Sequence, residues 1–348
     1  MVTDTWIVVV NWNGAALLPS CLRALARSCR PVRVIVVDNG STDGSAEVVR
    51  SFPDVEWIGL EQNTGFAVAS NIGFRKALDA GARWIGMVNP DVEVEPGWVD
   101  ALVVAGEAHP EAALLGGLLV FGDDPDRVNS TGLELDRFWR IRDRDFGAPV
   151  AELIRPDGPS LGVTGGAALA RADALRAIGL FDPAYYAYYE DADLSLRAGE
   201  HGFRCWYVPA ARARHGFGKS FGPGSPKQKY LLARNHLRFA ATHGPLAIAI
   251  LIVPLLALAR MLVKAPLELI RGRSASAKAH LKAGADGAPR LGGSACGGLW
   301  ACSRVGAALC KALAGQPHCG HACARSETCR PQSMHVRSPM SSPSSYTP

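Results

Sequence analysis

The sequence predicts an α/β fold, a mainly parallel sheet flanked by helices with a C-terminal amphipathic helical extension. Three observations predict it. Short apolar, β-branched runs alternate with segments of helical period through the first part of the chain. Polar residues gather at the carboxyl ends of those runs, where ligands sit in such sheets. An uncharged run then extends from Pro245 to Ala259. With 348 residues, 48% of them hydrophobic and 20% charged, the chain has globular composition and enough length for a large core.

The elements follow in order. Trp6 to Asn11 is an apolar run and predicts a buried strand, broken by Asn13-Gly14. Leu17 to Ala26 carries Leu18, Leu22 and Leu25 on one helical face. Val32 to Asp38 predicts a second strand, Ser45 to Ser51 a helix and Val55 to Leu60 a third strand. Phe66 to Ala80 reads as a helix and Trp84 to Val88 as a fourth strand. Trp98 to Gly106 predicts a helix and Leu114 to Phe121 a strand. Residues 123–159 are rich in Arg, Asp, Pro and Gly and predict a long loop or β excursion. Leu161 to Ala170 reads as a Gly-interrupted strand, and Ala172 to Ile178 as a helix. Leu194 to Glu200 lies inside a helix that ends at Gly202, and Cys205 to Val208 is a last strand before Pro209.

Charge divides the chain. Residues 1–200 carry 17 Lys/Arg against 29 Asp/Glu, and residues 201–290 carry 15 against 2. An acidic front suits a metal, and a basic back suits anionic lipid or diphosphate. The basic part lacks interleaved aromatics and any nucleic-acid module, so no nucleic acid is expected as a partner. Residues 1–5 have no basic stretch ahead of a long apolar run, so a cytoplasmic location is expected. After Pro245, Arg260, Lys264 and Glu268 recur at i, i+4 and charge one helix face. That pattern fits a membrane-surface or re-entrant helix with basic flanks, or a buried helix of the globular domain. Six of nine cysteines fall in residues 291–348, which predict a disordered Cys/Ser/Pro-rich tail. His318 to Cys323 hints at zinc, yet the Cys spacings there fit no paired Cys-x-x-Cys pattern.

Four features bear chemistry. Asp38-Asn-Gly-Ser-Thr-Asp-Gly-Ser45 follows a buried strand, where Asp38 can accept hydrogen bonds from a nucleobase or ribose. The bland alternative is an Asx turn capping the next helix. The loop is not Gly-x-Gly-x-x-Gly, and no Walker motif occurs in the chain, which removes support for dehydrogenase and P-loop chemistry. Asn89-Pro-Asp-Val-Glu93 offers oxygen ligands that can hold Mg²⁺ or Mn²⁺ beside a diphosphate, or is a plain Asn-Pro-Asp turn. Tyr185 to Asp193 sets Glu190, Asp191 and Asp193 among four tyrosines. Acids there suit a helix dipole, and they also suit a general base beside rings that stack on sugars. His215, between a basic run and Gly216-Phe-Gly-Lys-Ser220, suits a segment that closes over a diphosphate.

Together these motifs carry a resemblance. Val9 to Gly14, Val37 to Gly44, Asn63 to Gly73, Asn89-Pro-Asp91, Gly165-Gly166, Gly179 to Asp182, Glu190 to Asp193 and His215 occur in one order. The chain resembles the family 2 inverting glycosyltransferases of the GT-A fold, a single Rossmann-like sheet, over about residues 4–245. Within them it is most similar to the bacterial rhamnosyltransferase and galactofuranosyltransferase group. The resemblance implies a glycosyltransferase domain over residues 1–244, with a nucleotide-sugar half to about residue 95 and an acceptor half after it. Residues 245–290 would form a membrane-proximal helical segment.

The resemblance also implies roles. Asp38 matches the acid at the nucleotide base, and Asn11, Asn13, Asn63, Gly65, Asn71 and Asn89 match nucleotide-side loops. Asp91 matches the last acid of the metal-binding Asp-x-Asp motif, whose first position here is Asn89. His215 matches a late metal ligand for Mg²⁺ or Mn²⁺. Asp191 matches the catalytic base, with Glu190 as its neighbour. Gly165, Gly166, Tyr189 and Asp193 are expected against the donor or acceptor sugar. The implied donor is dTDP-rhamnose or a UDP-hexose. The implied acceptor is a lipid-linked or polysaccharide glycan of the cell envelope, met at the inner face of the plasma membrane. Two other readings compete. A nucleotidyltransferase would want a Gly-rich basic phosphate loop near the N-terminus, which Asn11 to Gly14 lacks. A catalytically inactive nucleotide-sugar-binding protein would be expected to have lost residues such as Asp91, Asp191 and His215.

Overall fold

A computed structural model describes residues 3–216 and 224–287. Lys219 and the Cys-rich tail, including the zinc hint, lie outside the described residues.

The front half follows the predicted alternation: β1 (Thr5–Asn11), α1 (Leu18–Ala26), β2 (Arg33–Asp38), α2 (Ser45–Arg50), β3 (Val55–Gly59), α3 (Phe66–Asp79) and β4 (Trp84–Val88). β1 pairs in parallel with β2 and β4, and β2 with β3. The register sets Asn11 beside Asp38, so the first two polar loops leave the sheet at one edge. Further along lie β5 (Val92–Val94), α4 (Trp98–Ala108), β6 (Ala112–Phe121), β7 (Val128–Ser130), β8 (Leu133–Leu135), β9 (Ile141–Asp143) and β10 (Gly158–Ser160). Then come β11 (Ala167–Arg171), α5 (Ala172–Ile178), α6 (Glu190–Glu200), β12 (Arg204–His215) and α7 (Pro226–His243). The main sheet runs β10-β12-β6-β11-β4-β1-β2-β3, with β11 antiparallel to both of its neighbours. Every residue of β1 and β4 is buried, because helices cover both faces of the sheet. One face packs α1 and α4 around Trp84 and Trp98, and the other packs α3 and α5 around Phe74 and Phe181.

Four expectations change. The Gly-interrupted strand begins only at Ala167, because Gly165 spends its N–H on the Asp191 carboxylate rather than on a ladder. β12 does not stop at Pro209. Its pairing with β6 shifts between Val208 and Arg212, so the proline sits in a bulge and the strand continues to His215. β5, just after Asn89-Pro-Asp91, pairs with the end of β12 and sets His215 beside Val92. The stretch 123–159 keeps to one of its two expected readings, a β excursion, in which β8 and β9 form a hairpin of their own.

The fourth change concerns the apolar helix, Ile248–Ile270, which is long and apolar enough by length and composition to cross a membrane. Two π-helical turns interrupt it, Ile248–Ile252 and Arg260–Lys264. Pro254 and Pro266 explain both. A proline donates no hydrogen bond and crowds the carbonyl four residues back, here Ile250 and Leu262, each inside a π turn. Two of the three residues of the charged face turn inward, and Lys264 alone stays exposed. Arg260 and Glu268 are buried, while Leu251, Leu255, Leu258 and Leu262 are exposed. Lys229 of α7 takes Glu268 at 3.1 Å, and the last described helix, Ser274–Gly287, closes against α7 through Tyr230 and Asp286.

Candidate active site

Three polar loops meet at the carboxyl edge of the parallel strands. In the first, Asp38 is buried and its Oδ1 accepts from Asn11 Nδ2 at 2.8 Å, while its Oδ2 accepts from the Ser41 N–H at 3.0 Å. Asn13, in the left-handed region with φ +50°, accepts from Thr42 N–H through its Oδ1. Gly14 leaves room for the Asn11 amide, which a Cβ there would strike. In the second loop Asn63 Oδ1 accepts from Gly65 N–H at 3.0 Å and from the Tyr186 hydroxyl at 2.7 Å. Gly65 sits at φ +91°, and a Cβ there would press on the Tyr186 ring. Lys227 Nζ donates to the Tyr186 hydroxyl at 3.1 Å and lies 5.7 Å from the centre of the Trp12 ring. A cation and two aromatic rings therefore border the expected nucleotide side. Trp12 and Tyr186 lay inside motifs the sequence offered, but Lys227 did not, because its meeting with them depends on α7 folding back over the sheet edge.

Asn71 has a different place. It is buried in α3 and both ends of its amide bond Phe181, accepting from the N–H at 3.0 Å and donating to the carbonyl at 2.8 Å. Its side chain joins α3 to the loop before Glu190 and is committed there.

The third loop follows β4. Asn89 N–H donates to the Gly166 carbonyl at 2.9 Å. Asp91 is buried, and its Oδ1 lies 3.4 Å from His215 Nε2 and takes part in no hydrogen bond. His215 Nδ1 lies 2.9 Å from Asn129 Oδ1. With that oxygen accepting, the proton sits on Nδ1 and the Nε2 lone pair faces Asp91. An unpartnered carboxylate oxygen facing a ring nitrogen fits a hard divalent cation that takes its other oxygens from a diphosphate. Among the described residues no group of three or more His, Cys, Asp or Glu converges as a metal cage. The site fits a cation held partly by substrate, with Asp91 and His215 as the protein's share.

Opposite stands the carboxylate cluster. Asp191 Oδ2 accepts from Gly165 N–H at 2.8 Å, and Oδ1 from Ala192 N–H at 2.8 Å. Burial pushes the Asp191 carboxyl above its ordinary range, and these backbone bonds only partly offset it. Glu190 is buried, its Oε2 has no partner, and burial with the Asp191 charge drives its carboxyl well upward. A built Cβ on Gly165 would meet Asp191 at 3.5 Å, and one on Gly166 would meet His215 at 3.6 Å and Asn89 at 3.9 Å. The Gly165-Gly166 turn thus lies between Asp191 and the Asp91–His215 pair, and its missing side chains leave space between them.

Asp143 on β9 joins this group. Burial pushes its carboxyl up to about 6, a Ser130 hydrogen bond opposes that, Asp191 adds to it and His215 offsets part of it. Its place in the irregular stretch 123–159 hid it from pattern reading.

Two expected sugar contacts are corrected. Tyr189 is buried against Phe239 and stacks near His236, so its ring is core. Asp193 accepts from His243 Nε2 through Oδ1 and from Arg197 Nε through Oδ2, both at 2.8 Å, and ties α6 to α7. Tyr186, Tyr188 and Tyr189 all adopt positive φ, between +67° and +75°. Such strain persists only where the surroundings over-determine it. Here Asn235, fully buried in α7, donates to the carbonyls of Tyr185, Ala187 and Tyr188 at 2.9, 2.8 and 2.7 Å.

Comparison with known proteins agrees with this geometry. The profile of glycosyl transferase family 2 matches residues 6–179. An N-acetylglucosaminyl-diphospho-decaprenol L-rhamnosyltransferase of Mycobacterium tuberculosis is 33% identical over 233 residues, covering 60% of this chain and 75% of that protein. A pre-mycofactocin glycosyltransferase of the same organism is 31% identical over 218 residues, covering 61% of this chain and 42% of its own length. Among solved structures, a mannosyltransferase of Pyrobaculum calidifontis, in complex with GDP-Man and Mn²⁺, superposes with TM-score 0.51. It is 16% identical and covers 82% of this chain and 86% of its own. GalNAc-T7, with UDP, GalNAc and Mn²⁺, superposes with TM-score 0.53 at 16% identity, covering 68% of this chain and 47% of its own. The two superpositions give the fold, GT-A, and the profile with the 33% relative gives the family. This chain is a glycosyltransferase and belongs to glycosyl transferase family 2.

Proposed function

We propose that the protein is an inverting rhamnosyltransferase that moves rhamnose from dTDP-rhamnose to a lipid-linked, N-acetylglucosamine-bearing acceptor of envelope glycan synthesis. The observation that carries the reading is the Gly165-Gly166 turn, set between Asp191 and the Asp91–His215 pair. The relative named for that acceptor and sugar supplies the substrate class.

The chain's own residues divide the work. Asn11, Asn13, Asp38, Asn63 and Gly65 shape the nucleotide side, with Trp12 and Lys227 beside them. Asp91 and His215 would hold Mg²⁺ or Mn²⁺, which supplies charge neutralisation of the departing diphosphate when bound. Asp191, fixed by two backbone N–H groups and raised by burial, takes the proton from the acceptor hydroxyl. The freed oxygen attacks the anomeric carbon from the face opposite the diphosphate, so one displacement inverts configuration. Glu190 and Asp143 both feel the Asp191 charge, so the cluster favours holding a proton after transfer. The exposed leucines of the helix Ile248–Ile270 support peripheral contact with the inner face of the membrane.

The test is donor hydrolysis by the purified protein across dTDP-, UDP- and GDP-sugars with Mg²⁺ or Mn²⁺. Turnover of dTDP-rhamnose above the others, lost in Asp91→Ala and Asp191→Ala, supports the reading. Preference for a UDP- or GDP-sugar sinks the rhamnosyl assignment.

A further inference from the structure

The helix Ile248–Ile270 has two unlike sides. Leu251, Leu255, Leu258, Leu262 and Leu269 are each more than half exposed, and their spacing of four, three, four and seven sets them on one stripe. Ala249, Val253, Ala257, Arg260 and Glu268 are buried on the side that faces the protein. An exposed stripe of leucines this long marks an apolar partner.

Beside the helix opens a cavity of about 260 Å³, lined in part by Arg140, Arg142, His236, Arg260 and Lys264, with Asp136 as its acid. Asp136 is already engaged. It pairs with Arg142 at 3.2 Å and accepts from the N–H groups of Phe138 and Arg140. Burial pulls the His236 imidazole down to about 4, so it adds no charge at neutral pH. Among the described residues no carboxylate forms an ion pair with Arg140, Arg260 or Lys264. Arg260 lies at the base, 7% exposed. One of its terminal nitrogens meets His236 Nδ1 at 2.8 Å, and its Nε is buried with no acceptor. Arg140 and Lys264 stand exposed. Tyr189, whose ring lies 6.3 Å from His236, is two residues before Asp191, so the cavity backs onto the wall of the catalytic loop.

We propose that this cavity binds the diphosphate of a polyprenyl-linked acceptor, with the leucine stripe of Ile248–Ile270 lying in the membrane interface beside it. The proposal rests on the lipid-linked acceptor read above and names the residues that would hold it. Charge selects the ligand. Four cations against the single carboxylate of Asp136 leave a surplus of about three positive charges, which matches a diphosphate, whereas a phosphodiester headgroup brings one negative charge. The helix supplies the apolar flank that a polyprenyl chain needs, with Leu256 and Ala259 of that helix lining the cavity.

The full chain is mixed with zwitterionic phosphatidylcholine vesicles carrying polyprenyl diphosphate, or phosphatidylglycerol at matched charge, and co-flotation is measured. Arg140→Gln/Lys264→Gln changes exposed residues only, and thermal melting and lipid-free donor hydrolysis check that it stays folded and active. The expected result is at least tenfold tighter binding to the diphosphate vesicles, reduced by the double variant to the phosphatidylglycerol level. Leu258→Glu/Leu262→Glu is expected to weaken binding to both. Equal affinity for the two vesicles, or a double variant that binds diphosphate as the wild type does, overturns the site. Transfer of sugar to the lipid-linked acceptor is scored separately. Transfer with an unchanged KM in Arg140→Gln/Lys264→Gln would sink the cavity and keep the function. Selective diphosphate binding without transfer would keep the cavity and sink the acceptor.

Discussion

Asp191 and Asp193 stand two residues apart and do opposite things. Asp191 is raised by burial and faces the glycine turn, so it suits a proton acceptor. Asp191→Asn should lower kcat by roughly 10²–10⁴-fold, with donor affinity kept, as steady-state kinetics and donor titration would show. For Asp193 burial acts upward, but the His243 hydrogen bond and the Arg197 charge outweigh it, and the carboxyl sits below its ordinary range. A depressed carboxyl contributes stability above its unfolded pKa of about 3.9, which is lost as pH falls through the folded value. Asp193→Asn should therefore destabilise by about 3 kcal/mol at pH 7, and its deficit against the wild type should shrink below about pH 4. Melting curves across pH would show a constant deficit if the ion pair were not the cause. The acids of the Glu190–Asp193 segment were legible as a group, but their division of labour was not. It is set by Gly165, Arg197 and His243, and the last of these is 50 positions distant from its partner.

At the scale of elements, the loop before α6 owes its shape to α7. Contacts from Asn235 to the carbonyls of Tyr185, Ala187 and Tyr188 hold tyrosines in left-handed backbone. Asn235→Ala takes this donor from the Ala187 and Tyr188 carbonyls, while the Tyr185 carbonyl keeps the Arg234 guanidinium at 2.7 Å. The cost should be about 2–3 kcal/mol, and kcat should fall more than KM changes, because Asp191 follows the loop. An unchanged kcat in a protein that still melts cooperatively would contradict this. Gly65→Ala should cost about 1–3 kcal/mol, read by denaturant unfolding, because φ is +91° and the new Cβ meets the Tyr186 ring. The parallel strands and helices of residues 5–108 could be read from periodicity, because each is local and buried on both sides. β5 is three residues long and the β12 bulge depends on partner strands, so neither has a local signature. The inward turn of Arg260 was hidden for a related reason. A helix face that carries charge reads as solvated until the packing against α7 is known.

For the whole molecule, the sheet edge collects what the chain scatters. Asn11, Asp38, Asp91, Asp143, Asp191 and His215 come from positions more than 200 residues apart. The order of motifs was enough to name the fold and family. The order could not supply Asp143 or Lys227, which enter through an irregular excursion and a returning helix. The acidic front and basic back also acquire places. Glu190, Asp191 and Asp91 gather at the proposed transfer site, and Arg260 and Lys264 line a cavity beside an apolar helix.

The central claim is a single displacement with Asp191 as base. It is tested most directly by NMR of the product formed from dTDP-rhamnose and an N-acetylglucosaminyl-diphospho-polyprenol, read at the anomeric carbon of the transferred rhamnose. The account predicts a rhamnoside of anomeric configuration opposite to the donor's, absent from Asp191→Asn. A product that keeps the donor's configuration would contradict it, because retention requires a second displacement that this arrangement of residues does not describe.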